Sequence, residues 1–225
     1  MDKLLNEAGK AQSNVITLYH GTKDDEFKPN PFYNNPDNDY GSGLYTTPSL
    51  KLAKEWAMSG YTEGLNGYAY EYQVDLSGLK ILDLSKIDSL HWIAVLLTHR
   101  HIKSSNNLFR KNLKALIEKY GIDVSEYDVI KGYRADDSYY DYARSFTSGS
   151  LTKESLDQSL LLGKLGIQYC FKSPESFDRL VYANKHRASD KDRKDYMRRD
   201  AEARNNFQRI QANDIGTRTI YDFIK

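Results

Sequence analysis

The sequence predicts an α+β fold, and three observations carry that prediction. Val15-Ile16-Thr17-Leu18-Tyr19 concentrates β-branched and aromatic side chains, as a buried strand does. Tyr68 to Val74 alternates with the period of a strand that has one face on a core. Ser89 to Arg100 and Asn107 to Tyr120 repeat apolar residues every three or four positions, which is the pattern of helices packed along one side. With 225 residues, 40% of them apolar, and 14 glycines, the chain can bury a core without disulfides or structural metal.

Taken in order, residues 1–14 read as a polar lead-in. The first strand ends at His20-Gly21-Thr22, and the stretch from Lys23 to Tyr40, with Pro29, Pro31 and Pro36, is a long loop of the kind that usually has a function. Gly41-Ser42-Gly43 closes it. Leu44 to Thr47 is a second short strand. Pro48-Ser49 then opens a helix whose Leu52, Ala53, Trp56 and Ala57 share a face. Lys80 to Leu84 is expected as a companion strand to the Tyr68 run, and Gly121 stops the second of the two long helices. Val129-Ile130 leads into Gly132-Tyr133-Arg134-Ala135-Asp136-Asp137-Ser138, followed by helices over Tyr139 to Phe146 and Ser150 to Leu162. Ile167 to Phe171 is a strand, and Ser173-Pro174-Glu175 starts another helix. After Tyr182 the composition changes: nine Lys or Arg against five Asp or Glu between Lys185 and Arg209 suggest a helical or partly disordered tail. The expected organisation is a lead-in at 1–14, a domain at 15–182 and a basic extension at 183–225.

Charge and cysteine content exclude several classes. Thirty-two Lys and Arg against 31 Asp and Glu leave no global field to attract nucleic acid. One cysteine, Cys170, can form neither an internal disulfide nor a thiolate cluster, and its place in a strand suits a buried apolar residue. The start of the chain lacks the apolar run of a signal peptide, and no stretch approaches the length that crosses a bilayer, so a soluble cytoplasmic protein without membrane partners is expected. His99 and His101 lie at i and i+2, on different sides of a helix, and no metal site is expected. Gly41-Ser42-Gly43 lacks the third glycine of a dinucleotide fingerprint, which argues against a Rossmann fold.

The chemistry concentrates in two segments. Leu18-Tyr19-His20-Gly21-Thr22 delivers a histidine into a glycine turn, where backbone can approach a ligand and the imidazole can bond a sugar hydroxyl. Asp39-Tyr40-Gly41-Ser42-Gly43-Leu44-Tyr45-Thr46-Thr47 puts a tyrosine able to stack on a flat ring after a two-glycine loop. Alone, each reads as a structural His or a packing Tyr. Their order, with a helix bearing Ala53, Trp56 and Ala57 behind them, changes the weight. With Gly132 to Tyr139, and with Leu162-Gly163-Lys164-Leu165-Gly166-Ile167-Gln168-Tyr169 followed by Lys172-Ser173, the chain from about Val15 to Tyr182 resembles the bacterial DUF3990 family and, through it, the ADP-ribosyltransferase superfamily.

That resemblance implies two small, bent antiparallel sheets wrapped by helices, with NAD as co-substrate in the cleft between them. It implies that His20 holds the adenosine ribose, that Gly21 clasps the nicotinamide amide and that Tyr45 stacks on the nicotinamide ring, with Thr22 and Thr46 counted in the same site. Many transferases carry Glu at the third motif position. Here the strand offers Ile167 and Gln168, and Gln168 can bond a ribose hydroxyl but cannot carry charge. Asp136 and Asp137 are the candidates for the missing carboxylate, beside the alternatives of a helix cap or an ion pair with Arg134; Glu71 is weaker. The implied activity is mono-ADP-ribosyl transfer to a macromolecule, in a toxin of a toxin-antitoxin or phage-defence system whose inhibitor protein blocks the cleft. An inactive binding module is the alternative. Nucleic acid is placed slightly ahead of protein as acceptor, on the basic tail and on 18 tyrosines against 8 phenylalanines.

Overall fold

Two small sheets organise the chain in this computed structural model, which describes residues 15–33, 35–60, 66–100, 104–135, 137–162 and 166–225, with backbone alone at 137–139. In the first sheet β1 (Val15–Thr22) pairs antiparallel with β3 (Gly67–Asp75), and β3 with β7 (Leu180–Ala188). The second runs β2 (Leu44–Thr46), β6 (Ile167–Phe171), β5 (Val129–Tyr133), β4 (Ile81–Asp83). Its β2–β6 and β6–β5 joints are antiparallel, and β4 lies parallel to β5. Helices α1 (Leu50–Ala57), α2 (Ser89–His99), α3 (Asn107–Tyr120), α4 (Asp137–Thr147), α5 (Lys153–Ser159), α6 (Pro174–Asp178), α7 (Asp190–Ala212) and α8 (Ile220–Phe223) complete an α+β fold.

The helices begin where local chemistry says they should. Ser49 accepts from the Leu52 amide to cap α1, Asn106 accepts from Leu108 and Phe109 to cap α3, and Ser173 precedes Pro174 in the first turn of α6. α5 is shorter than the 150–162 span predicted, because Thr152 supplies its cap and Leu160 ends it.

Three expectations on strands need correction. The Lys80 to Leu84 strand is no companion of β3, whose two edges are already taken by β1 and β7; it pairs with β5 instead. That parallel joint also means the second sheet is not wholly antiparallel. Finally, the tail does not begin as helix or disorder: the strand β7 runs across the expected boundary at 182. Its outer residues are polar on both faces, so nothing local marks them as strand. The β3 ladder recruits them, with Tyr182 beside Tyr70 and Tyr72, His186 bonded to Glu71 at 2.7 Å, and Lys185 to Asp25 at 2.5 Å.

The two main apolar clusters hold these layers, with a minor one of Ala57, Met58 and Ala188 between α1 and β7. The larger lies under the second sheet and is built on α2, with Trp92, Ile93, Leu96, Tyr142 and Phe146 fully buried. The smaller forms the seam between the sheets: Leu18, Tyr72 and Val74 from the first meet Leu44, Val129 and Phe171 from the second. Burying such side chains contributes about 1.5–3 kcal/mol each, and this fixes how the two sheets face one another. Among the described residues no helix is long and apolar enough to cross a membrane.

Candidate functional site

A backbone bridge stitches the two sheets together. Tyr19 and Thr47 exchange backbone hydrogen bonds of 2.8 and 2.9 Å, after which β1 continues along β3 and β2 lies along β6. Beside this stitch opens a cavity of about 680 Å3, within the range of cofactor pockets. His20 and Tyr45 line it from the two sheets, α1 contributes Trp56, and the 23–40 loop forms much of its wall, with Phe27, Lys28 and Asp39 among its lining residues. Tyr70 pins that loop from the sheet behind, donating to the Asp25 carbonyl at 2.5 Å and accepting from the Phe27 amide at 3.1 Å.

His20 is half-buried and held on three sides. Its Nδ1 is 2.7 Å from the Tyr45 carbonyl, Phe27 stacks on it at 4.4 Å, and Trp56 meets it edge-on at 6.2 Å. A carbonyl only accepts, so Nδ1 carries the proton and Nε2 is left as a lone-pair acceptor. Burial among these rings pushes the imidazole pKa down to about 4, outweighing the carbonyl bond, which favours the proton. The folded state thus binds fewer protons than the unfolded one between pH 4 and 6.5. Folding stability is expected to fall as the pH drops from 6.5 towards 4, and NMR should place the His20 titration near 4; a midpoint near 6.5 contradicts this environment.

Tyr45 is buried. Its hydroxyl donates to the Gly41 carbonyl at 2.7 Å and accepts from the Tyr40 amide at 2.8 Å, and burial raises its pKa well above the usual value, so it stays a neutral phenol. It therefore ties down the two-glycine loop as well as lining the cavity. Lys172, from the last resembling segment, completes that clamp by donating to the carbonyls of Tyr40 and Ser42 at 2.8 and 2.9 Å.

The sequence-derived residues do not all converge. Gly21 and Thr22 line the cavity, but the space beside Gly21 is filled by helix: a Cβ there would lie 2.1 Å from the Ala53 carbonyl oxygen. Close passage of α1 is the reason a glycine stands at 21. Thr46 is fully buried, its hydroxyl bonded to the Tyr169 carbonyl at 3.3 Å, and lies off the cavity wall that its neighbours Leu44 and Tyr45 line. Gln168 does line the cavity, and is 1% exposed. Asp136 lies outside the described residues, and Asp137 opens α4 on backbone alone. Glu71 faces His186 in the first sheet. Cys170 is wholly buried with its thiol pushed up to about 12 by burial, the state of an inert packing residue.

Several lining groups escaped sequence reasoning. Asp39, 4% exposed, accepts from Arg100 at 2.7 and 3.0 Å, from the Ala135 amide at 3.1 Å and from Gln168 at 2.9 Å. The Arg134 guanidinium lies over the Trp56 ring at 4.5 Å. Tyr196 reaches the cavity from α7. Asp39 stands in the two-glycine segment and Arg100 beside His99, and neither has a partner in its own stretch of chain that would mark it.

Residues 16–182 match the family model described as a protein of unknown function (DUF3990). No curated protein and no solved structure matches the chain.

Proposed function

The chain belongs to the DUF3990 family, and from that premise and the geometry of its cleft we propose that it is an NAD-dependent mono-ADP-ribosyltransferase. One observation carries the reading: the His20 imidazole and the Tyr45 backbone, from strands of different sheets, are bonded at 2.7 Å on the wall of a single cavity of cofactor size. That is where the superfamily resemblance needs a histidine and a tyrosine to meet. A neutral His20 offers Nε2 to an adenosine-ribose hydroxyl. Tyr45 and Trp56 supply ring faces and edges for the nicotinamide end, and Lys28 and Arg134 bring positive charge to a cavity that must take a pyrophosphate.

In the proposed reaction the bond between the nicotinamide nitrogen and the ribose anomeric carbon breaks, with the electron pair leaving on nicotinamide. An acceptor nucleophile then attacks the oxocarbenium-like carbon and loses its proton. Gln168 orients the nicotinamide ribose through a hydroxyl hydrogen bond. Asp136 and Asp137 follow directly on the cavity residue Ala135 and remain the candidates for taking the acceptor's proton. A second reading, binding without turnover, draws on the neutral Gln168 at the position where many transferases carry an acid.

The acceptor is a macromolecule. Lys191, Arg193, Lys194, Arg198 and Arg204 of α7 each pair with an acid of the same helix, which works against a continuous phosphate-binding face and lessens the lean towards RNA. A toxin role with an inhibitor protein over the cleft remains part of the proposal, and arrest of growth on expression is its corollary.

The test is incubation of the purified chain with labelled NAD and lysate. Release of nicotinamide with label on a macromolecule is expected; nuclease or protease sensitivity then names its class. His20→Ala should lower NAD affinity by roughly tenfold, the worth of a hydrogen bond with its stacked neighbours. NAD binding without nicotinamide release selects the inactive binding module, and absence of NAD binding overturns the transferase reading.

A further inference from the structure

We infer that Asp39 is a positioning residue that sets the orientation of the Gln168 amide, and that this chain requires a neutral side chain at 168; the inference rests on the ADP-ribosyl-transfer reading of the cleft. Gln168 points its amide at acceptors. Its Nε2 is 2.9 Å from Asp39 Oδ2 and 3.3 Å from the Tyr133 carbonyl oxygen. Both of those atoms accept, so the amide nitrogen occupies this end and Oε1 is the acceptor that Gln168 retains.

Each member of the pair is locked in turn. Asp39 Oδ1 takes the Arg100 guanidinium at 2.7 and 3.0 Å, and Oδ2 also takes the Ala135 amide at 3.1 Å. The Tyr133 carbonyl is held by the Tyr40 hydroxyl at 2.5 Å and the Trp92 indole at 3.0 Å, and Trp92 also donates to Tyr40 at 2.8 Å. These groups come from separate stretches of chain, yet all converge on one buried amide beside the cavity. The negative charge of this corner resides on Asp39, compensated by Arg100, and the residue facing the cleft is its neutral partner.

A glutamate at 168 therefore would not simply supply the missing acid. It would set a second carboxylate against Asp39 Oδ2 and a carbonyl oxygen, both acceptors, in a buried site. One carboxyl of such a pair has its pKa raised strongly. Gln168→Glu is predicted to be functional only when protonated.

The experiment is a double-mutant cycle of the full-length chain, Gln168→Glu, Asp39→Asn and both together, read as nicotinamide release from NAD between about pH 5 and 9 and as melting temperature over the same range. Gln168→Glu is expected to lose about tenfold or more of kcat at about pH 7.5 and to recover towards about pH 5, with its melting temperature relative to wild type falling as the pH rises, opposite in sign to the His20 dependence that both proteins share. Asp39→Asn places an amide NH2 against either Arg100 or the Ala135 and Gln168 donors, and should also be impaired. In the double variant the amide introduced at position 39 can donate to the carboxylate introduced at position 168, so it should melt higher and turn over faster at about pH 7.5 than Gln168→Glu alone. Additive losses, or a Gln168→Glu enzyme as active as wild type with a flat pH profile, overturn the positioning role while leaving the transferase reading intact. A wild-type chain that releases no nicotinamide overturns the transferase reading and this inference with it.

Discussion

Arg199→Ala is expected to cost about 3–5 kcal/mol of folding stability, the penalty for breaking a buried ion pair from one side. The Glu55 side chain is 1% exposed on α1, and the Arg199 guanidinium reaches it from α7 with two contacts of 2.8 Å to the same oxygen. Lys51, largely in solvent and 3.9 Å away, is a weak substitute. Urea unfolding of the wild type, Arg199→Ala and the double variant Glu55→Gln/Arg199→Met should show the single change as the most damaging, because only it leaves a carboxylate buried alone. An Arg199→Ala midpoint equal to wild type would show the pair to be incidental. The same contact governs truncation. Ending the chain after Tyr182, where the family match ends, removes Arg199, the cavity residue Tyr196, and the strand residues Asn184 to Ala188 that pair with Gly67 to Glu71. Such a fragment is expected to lack a cooperative melt, because it loses most of β7 and one wall residue of the cavity.

Gly21→Ala should produce the second large effect. The atoms a Cβ would meet, the Ala53 carbonyl at 2.1 Å and the Ala57 nitrogen at 3.0 Å, are helix backbone and cannot swing aside like a side chain. Overpacking of this kind costs about 1–3 kcal/mol, and relief requires α1 to move away from β1. Because α1 carries Trp56 to the cavity and Glu55 to Arg199, the movement should weaken both. A lowered melting temperature with a changed Trp56 fluorescence, read in a Trp92→Phe background, is the expected result. Unchanged stability and emission would mean that the helix does not press on β1.

The extent to which each feature was legible in the sequence follows from the range of the forces behind it. α3 was readable to its ends, since the apolar spacing over 107–120 and a Gly at 121 are signals spanning a few residues. β1 and β6 were readable because most of their side chains are β-branched, aromatic or apolar whatever they pair with. β7 was not, because an edge strand with polar faces takes its identity from the β3 ladder, and the placement of β4 was not, because its partner β5 lies far along the chain.

The same division runs through the site. His20, Tyr45 and Gln168, whose residue types motif order brings into view, line one cavity, and the sequence by itself determined the α+β class and most of the helices. Only the tertiary structure decided that Thr46 turns away from the cavity, that Gly21 makes room for α1, and that Asp39 is joined to Gln168 across 129 positions and to Arg100 across 61. Caps and periodicity act within a turn or two of chain and are written locally. Burial of a charge and the partner that compensates it depend on which surfaces the packed sheets bring together, and that is a property of the whole fold.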